Sequence, residues 1–139
     1  MCPRFCLVLA CVIPVWAAWA ESGKVVKYTR PEPVPAADAG QMFRAYCAVC
    51  HGVDGRGGGP AADSLRKRPA DLTRLTIKNG GKFPSGLVAN VIQSYGPGGP
   101  HGSREMPMWG TVFRAFGDYD TVRLRVANLT NFVESLQRK

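Results

Sequence analysis

The sequence predicts an all-α domain, small and helical, with its first and last helices packed together. Two amphipathic stretches carry that prediction. In the first, Ala39, Met42, Phe43 and Tyr46 follow the i, i+3, i+4, i+7 pattern behind Asp38. In the second, Val122, Val126, Leu129, Val133 and Leu136 recur at spacings of 4, 3, 4 and 3. A third observation is the chain between them, so rich in glycine and proline that long stretches suit shaped loops rather than sheet ladders.

The 139 residues suit one domain, and part of the chain lies outside it. Met1 to Arg4 carry one positive charge, Phe5 to Trp19 are almost wholly apolar, and Ala18-Trp19-Ala20 has the small-x-small form of a signal-peptidase site before Glu21. Residues 1–20 therefore read as a signal peptide. The alternatives are an uncleaved anchor and a lipid on Cys11 after Val8-Leu9-Ala10. About 15 apolar residues interrupted by Pro14 are short for a bilayer span, and lipidation at Cys11 leaves a very short apolar run. Membrane association is expected only through such an uncleaved or lipidated N-terminus. Pro31, Pro33 and Pro35 alternate through residues 28–37 and disfavour both helix and sheet, so residues 21–37 read as a leader or linker. The domain itself is expected over 38–139.

Asp38 can cap the first helix, and Met42 reads as core packing on it. That helix delivers Cys47-Ala48-Val49-Cys50-His51. Two thiols one helical turn apart lie on nearly the same face, so both sulfurs can reach the vinyl groups along one edge of a haem. His51 then points at its iron. The motif predicts one covalent haem, bound through Cys47, Cys50 and His51. Other uses of these residues fit less well. Structural zinc needs a fourth ligand, usually from a second pair, and none exists. A thioredoxin-like pair sits between a strand and a helix, whereas helix precedes this one. A disulfide between Cys47 and Cys50 closes too small a loop to stabilise much. Of five cysteines, Cys2, Cys6 and Cys11 lie in the segment to be removed, leaving the pair one haem requires.

Gly52 to Pro60 cannot hold regular structure, because six of its nine residues are Gly or Pro. Glycine there lets the backbone approach a flat macrocycle, and a carbonyl around Gly59 or Pro60 is expected to accept the His51 Nδ1 proton. No Gly-Lys-Ser/Thr ending follows, which excludes a phosphate-cradling loop. Residues 61–68 suggest a short helix bearing the exposed basic run Arg66-Lys67-Arg68. Asp71 or Thr73 can cap a brief turn leading to Asn79-Gly80-Gly81. Ser85 is the expected N-cap of a helix with Leu87, Val88, Val91, Ile92 and Tyr95 on one face, stopped by Gly96. Gly96 to Gly110 reads as a shaped loop. The last helix begins near Asp118 or Asp120 and should pack on the first. Asn128-Leu129-Thr130 matches a glycosylation acceptor, a chance match on a packed helix.

From Asp38 to Arg138 the chain resembles the class I c-type cytochromes. The resemblance rests on Phe43 four residues before Cys47, on Cys47 to His51, on Met106-Pro107-x-Trp109-Gly110, and on Leu129 and Phe132 in the terminal helix. It implies that Phe43 packs against Phe132. Many members of that family carry glycine four residues before the first aromatic. Here that position is Ala39 and the glycine is Gly40, so a slightly wider helix crossing is expected. The resemblance also implies that Met106 is the sixth iron ligand. A thioether is a soft, neutral donor that favours ferrous iron and raises the potential, which agrees. The rivals are Met108, which needs the loop to reorient, and His101, a harder donor that would lower the potential.

The expected function is that of a periplasmic monohaem c-type cytochrome carrying single electrons between redox partners, and not an enzyme by itself. Covalent haem attachment to this motif takes place outside the cytoplasmic membrane in bacteria, as the resemblance implies, which agrees with export. One alternative is a dedicated cytochrome subunit of a larger dehydrogenase or oxidase. Another, of a different class, is a haem enzyme or a gas- or peroxide-binding protein with a labile Met106. The formal net charge of +8 falls to +7 without the Arg4 segment. Two ionised haem propionates bring it to about +5. An exported haem protein meets no genomic DNA, so this basic balance points to partners with acidic docking surfaces rather than to nucleic acid.

Overall fold

In the computed structural model, which describes residues 33–93 and 106–138, helices alternate with loops and no strand occurs among the described residues. The residues read as a signal peptide, Cys11 among them, those read as a leader up to residue 32, Tyr95, Gly96 and His101 lie outside the described residues. Asp38 starts the first helix as its position predicts: its Oδ1 accepts from the Gln41 N–H at 2.8 Å. Helix α1, Ala39–Met42, runs through a π-helical turn, Phe43–Cys47, into α2, Ala48–His51. The wide turn leaves no periodicity signature in the sequence. It turns the motif residues relative to Met42 and Phe43, which are fully buried.

The helix expected over 61–68 shortens to a single 3₁₀ turn, Ala62–Ser64, after which Leu65 is extended. The extended backbone at Leu65 ends the turn, and Pro69 disfavours a helical restart at Arg68, the residue before it. A second 3₁₀ turn, Leu72–Arg74, is capped by Asp71, whose Oδ1 accepts from the Thr73 N–H at 2.9 Å and from the Thr73 hydroxyl at 2.7 Å. It leads directly into α3, Leu75–Lys78.

Helix α4 spans Ser85–Gln93. Its first helical bond runs from the Val88 N–H to the Pro84 carbonyl, 3.0 Å, so the N-cap is Pro84 rather than Ser85. Helix α5, Trp109–Arg114, takes in Trp109 and Gly110, so the shaped loop expected up to Gly110 ends earlier, at Met108. A methyl at Gly110 would sit 2.8 Å from the Gln93 carbonyl oxygen, so the missing side chain lets α5 start directly against the end of α4.

Helix α6, Tyr119–Ser135, begins where Asp118 Oδ1 accepts from the Thr121 N–H at 2.8 Å. Val122, Val126, Leu129 and Val133 are all buried, as their spacing predicts. This face packs against α1, α4 and α5. Phe43 meets Phe132 with ring centroids 5.0 Å apart at 39°. A methyl at Gly40 would stand 3.6 Å from Phe132 Cε2, an ordinary contact, so the packing of α1 on α6 leaves room for a side chain there.

The hydrogen bonds of the helical unit reach back to Val34. Its N–H donates to Tyr46 Oη at 3.1 Å and its carbonyl accepts from Arg125 Nη1 at 2.6 Å. Asn128 Nδ2 donates to the Ala36 carbonyl at 2.8 Å, so the Asn128 amide serves packing. Among the described residues no helix is long and apolar enough to cross a membrane.

Candidate functional site

Cys47, Cys50, His51 and Met106 all line one cavity of about 400 Å³. Its other walls are mainly apolar, with Leu72 and Leu75 from the segment after Pro69, Val88, Val91 and Ile92 from α4, and Leu129 and Val133 from α6. A largely apolar cavity with a few converging donors is the usual form of a cofactor site. Tyr46 and Trp109 close part of it, their ring centroids 5.4 Å apart. Lys67, Arg68 and Lys78 also line it, and no acidic residue does among the described residues.

Both motif cysteines are free thiols. Burial, and after it the neighbouring Cys50, pushes the Cys47 thiol up to about 12. Reactive Cys-x-x-Cys pairs depend on the opposite shift, so the environment does not suit thiol–disulfide exchange. Nor do three or more His, Cys, Asp or Glu side chains among the described residues form a group able to hold an ion, which argues against a zinc site.

His51 Nδ1 lies 3.0 Å from the carbonyl oxygen of Ala70. A carbonyl can only accept, so Nδ1 carries the proton and Nε2 keeps a lone pair for a metal. Burial holds the imidazole below its ordinary value, opposed in part by this hydrogen bond, which keeps the ring neutral and able to ligate. The acceptor is thus neither Gly59 nor Pro60.

The glycine-rich loop instead binds the helix that presents the motif. The N–H groups of Ala61, Gly59 and Gly57 donate to the carbonyls of Val49, Cys50 and His51 at 2.9, 3.0 and 2.7 Å. These carbonyls at the end of α2 would otherwise lack partners. A methyl at Gly59 would fall 2.5 Å from the carbonyl oxygens of both Ala48 and Val49, so glycine is required for the backbone to come this close. The loop approaches the helix end, and in doing so fixes Cys50 and His51.

Ala70 is held from the far end of the chain. The Leu72 N–H donates to the Gly55 carbonyl at 2.8 Å. Gln137 Nε2 donates to the Leu72 carbonyl at 2.6 Å, and Gln137 Oε1 accepts from the Thr76 N–H at 2.9 Å. Nothing in the sequence marks Ala70, since its contribution is a backbone carbonyl. Gln137 carries no motif either, and only its place one residue beyond Leu136, the last of the apolar stripe, suggests a role at the end of the helix.

Of the two methionines in Met106-Pro107-Met108, only Met106 lines the cavity. Met108 is 46 % exposed and its backbone forms the N-cap of α5. Met42 belongs to the core, as its spacing predicts. Two thiols, an imidazole with a free Nε2, a thioether and apolar walls together fit a haem joined through Cys47 and Cys50.

Residues 36–137 match the family model described as Cytochrome c. No curated protein and no solved structure matches the chain.

Proposed function

The chain belongs to the cytochrome c family, which binds haem covalently through cysteines such as Cys47 and Cys50, and from that premise we propose that it is an exported, periplasmic carrier of single electrons with His51 and Met106 as axial ligands. The observation that carries this reading is the meeting of Cys47, Cys50, His51 and Met106 at one cavity. The haem, when bound, supplies a one-electron iron couple.

The chain's own residues do the rest. Cys47 and Cys50 tether the cofactor. The Ala70 carbonyl keeps the proton on His51 Nδ1, so that Nε2 would be the donor to the iron of a bound haem. Met106 offers a soft, neutral sulfur that favours the reduced state. The apolar side chains around the cavity would exclude water from a bound haem, which would keep reorganisation small as it exchanged one electron with a reduced donor or an oxidised acceptor protein. His51 and Met106, both lining the cavity, would hold the iron of a bound haem from the chain and leave it no site for a substrate. This favours a carrier over an enzyme. Residues 1–20 supply export, and the cations around the cavity suit partners with acidic surfaces.

Absorption spectra of the purified protein, oxidised and reduced, test the reading. Wild type should show a six-coordinate haem c with the weak sulfur-to-ferric-iron charge-transfer band. Met106→Ala should lose that band and admit small ligands, while Met108→Ala keeps it. The reverse pair of phenotypes moves the ligand to Met108, and a wild-type spectrum that lacks the band removes methionine ligation altogether.

A further inference from the structure

Arg125 lies on α6, one turn before the cavity-lining Leu129, and only 3 % of its surface is exposed. Every partner it has among the described residues is neutral. Nη1 donates to the Val34 carbonyl at 2.6 Å and lies 3.5 Å from Met42 Sδ, and the guanidinium carbon stands 5.7 Å from the centre of the Phe113 ring. Its buried Nε has no hydrogen-bond partner. No carboxylate among the described residues pairs with it.

A guanidinium is a permanent cation in proteins, and burying one without a counter-charge is costly. Holding the leader does not explain that cost. Asn128, a few residues further along the same helix, ties down Ala36 with a neutral amide. What sets Arg125 apart is its charge. Two rings in series lead from that charge to the cavity: Phe113, beneath the guanidinium, lies 5.5 Å from Tyr46, centroid to centroid, and Tyr46 lines the cavity.

We propose that Arg125 is a fixed interior charge that raises the reduction potential of the site, making the arrival of an electron more favourable. This rests on the electron-carrier reading. No bond forms or breaks at Arg125 and no proton moves there. The electron comes from the donor protein, and the buried cation biases the equilibrium toward the reduced state. At an effective dielectric constant of about 20 and a separation of roughly 10–15 Å, a unit charge changes the ratio of reduced to oxidised protein about sixfold to sixteenfold.

The test is a spectroelectrochemical titration of the haem-loaded protein. At a fixed ambient potential Arg125→Met should lower the reduced-to-oxidised ratio about sixfold to sixteenfold, while Arg125→Lys, which keeps the charge, should stay close to wild type. Met42→Glu and Met42→Gln form a second pair that leaves Arg125 in place. The carboxylate beside Nη1 should lower the ratio relative to the amide, and this pair decides the matter if Arg125→Met does not fold. An Arg125→Met protein with the wild-type midpoint overturns the proposal. So does an Arg125→Lys midpoint as low as that of Arg125→Met, or a common midpoint for the two Met42 variants. A wild-type haem that cannot be reduced and reoxidised reversibly overturns the carrier reading instead.

Discussion

His51 Nδ1 and the Ala70 carbonyl oxygen lie 3.0 Å apart across 19 residues of sequence. The bond sets the tautomer and orientation of the imidazole, and the position of Ala70 depends on residues near the C-terminus. The carbonyl of Leu72 and the N–H of Thr76 both bind the Gln137 amide, and the Arg138 N–H donates to the Thr73 carbonyl at 2.9 Å. Gln137 and Arg138 thereby tie down the segment that follows Ala70, whose carbonyl accepts the His51 Nδ1 proton.

Gln137→Ala should have two effects. It leaves the Thr76 N–H and the Leu72 carbonyl without their partner, a loss of about 1–3 kcal/mol in denaturant unfolding. It also loosens the hydrogen bond on His51, which lowers the basicity of the imidazole and should raise the midpoint potential. A variant that is destabilised but keeps the wild-type midpoint would limit Gln137 to a purely structural role.

Phe43 and Phe132 join α1 to α6, and Phe43 is 1 % exposed. Phe43→Ala should cost about 3–5 kcal/mol, and Phe132→Ala less, because Phe132 is only partly buried. The double mutant should reveal a coupling of about 0.5–1.5 kcal/mol between the rings. Chemical denaturation of the haem-loaded proteins measures all three, and strictly additive losses would show that the rings do not interact.

Lys67 and Arg68 belong to the basic run 66–68 and also line the cavity. A partner with an acidic surface should thus be drawn toward the haem site itself. Stopped-flow electron transfer to such a partner is expected to slow as ionic strength rises, since exposed charges are screened over about 8–10 Å at physiological salt. Neutralising Arg66, Lys67 and Arg68 together should flatten that dependence. A rate that ignores salt in wild type would remove steering from the account.

Much of the helical frame was legible along the chain. Asp38, Asp71 and Asp118 accept the backbone N–H bonds their positions suggest, and the 4, 3, 4, 3 stripe of α6 is buried over Val122, Val126, Leu129 and Val133. Local rules were less informative where neighbouring segments intervene. The π-helical turn at Phe43–Cys47 keeps an ordinary helical pattern in sequence. The start of α5 lies in a stretch rich in Gly and Pro, and it turns helical because Gly110 can settle against Gln93.

The same division holds at the site. Cys47, Cys50 and His51 could be read from the sequence because their spacing along a single helix sets the reach of their side chains. Met106 came into view through a family resemblance, and the fold puts it on the cavity while leaving Met108 exposed. The sequence by itself determined the caps at Asp38, Asp71 and Asp118, the buried stripe of α6 and the order in which the haem-motif residues are presented, because backbone sterics and short covalent spacing act over one or two turns. Only the tertiary structure decided that Ala70 accepts from His51, that Gly59 closes on the end of α2, and that Arg125 is buried among neutral groups. Every residue brings a carbonyl, and the chain carries many glycines and arginines. Which of them matters depends on where distant segments meet, and that is settled when the core packs.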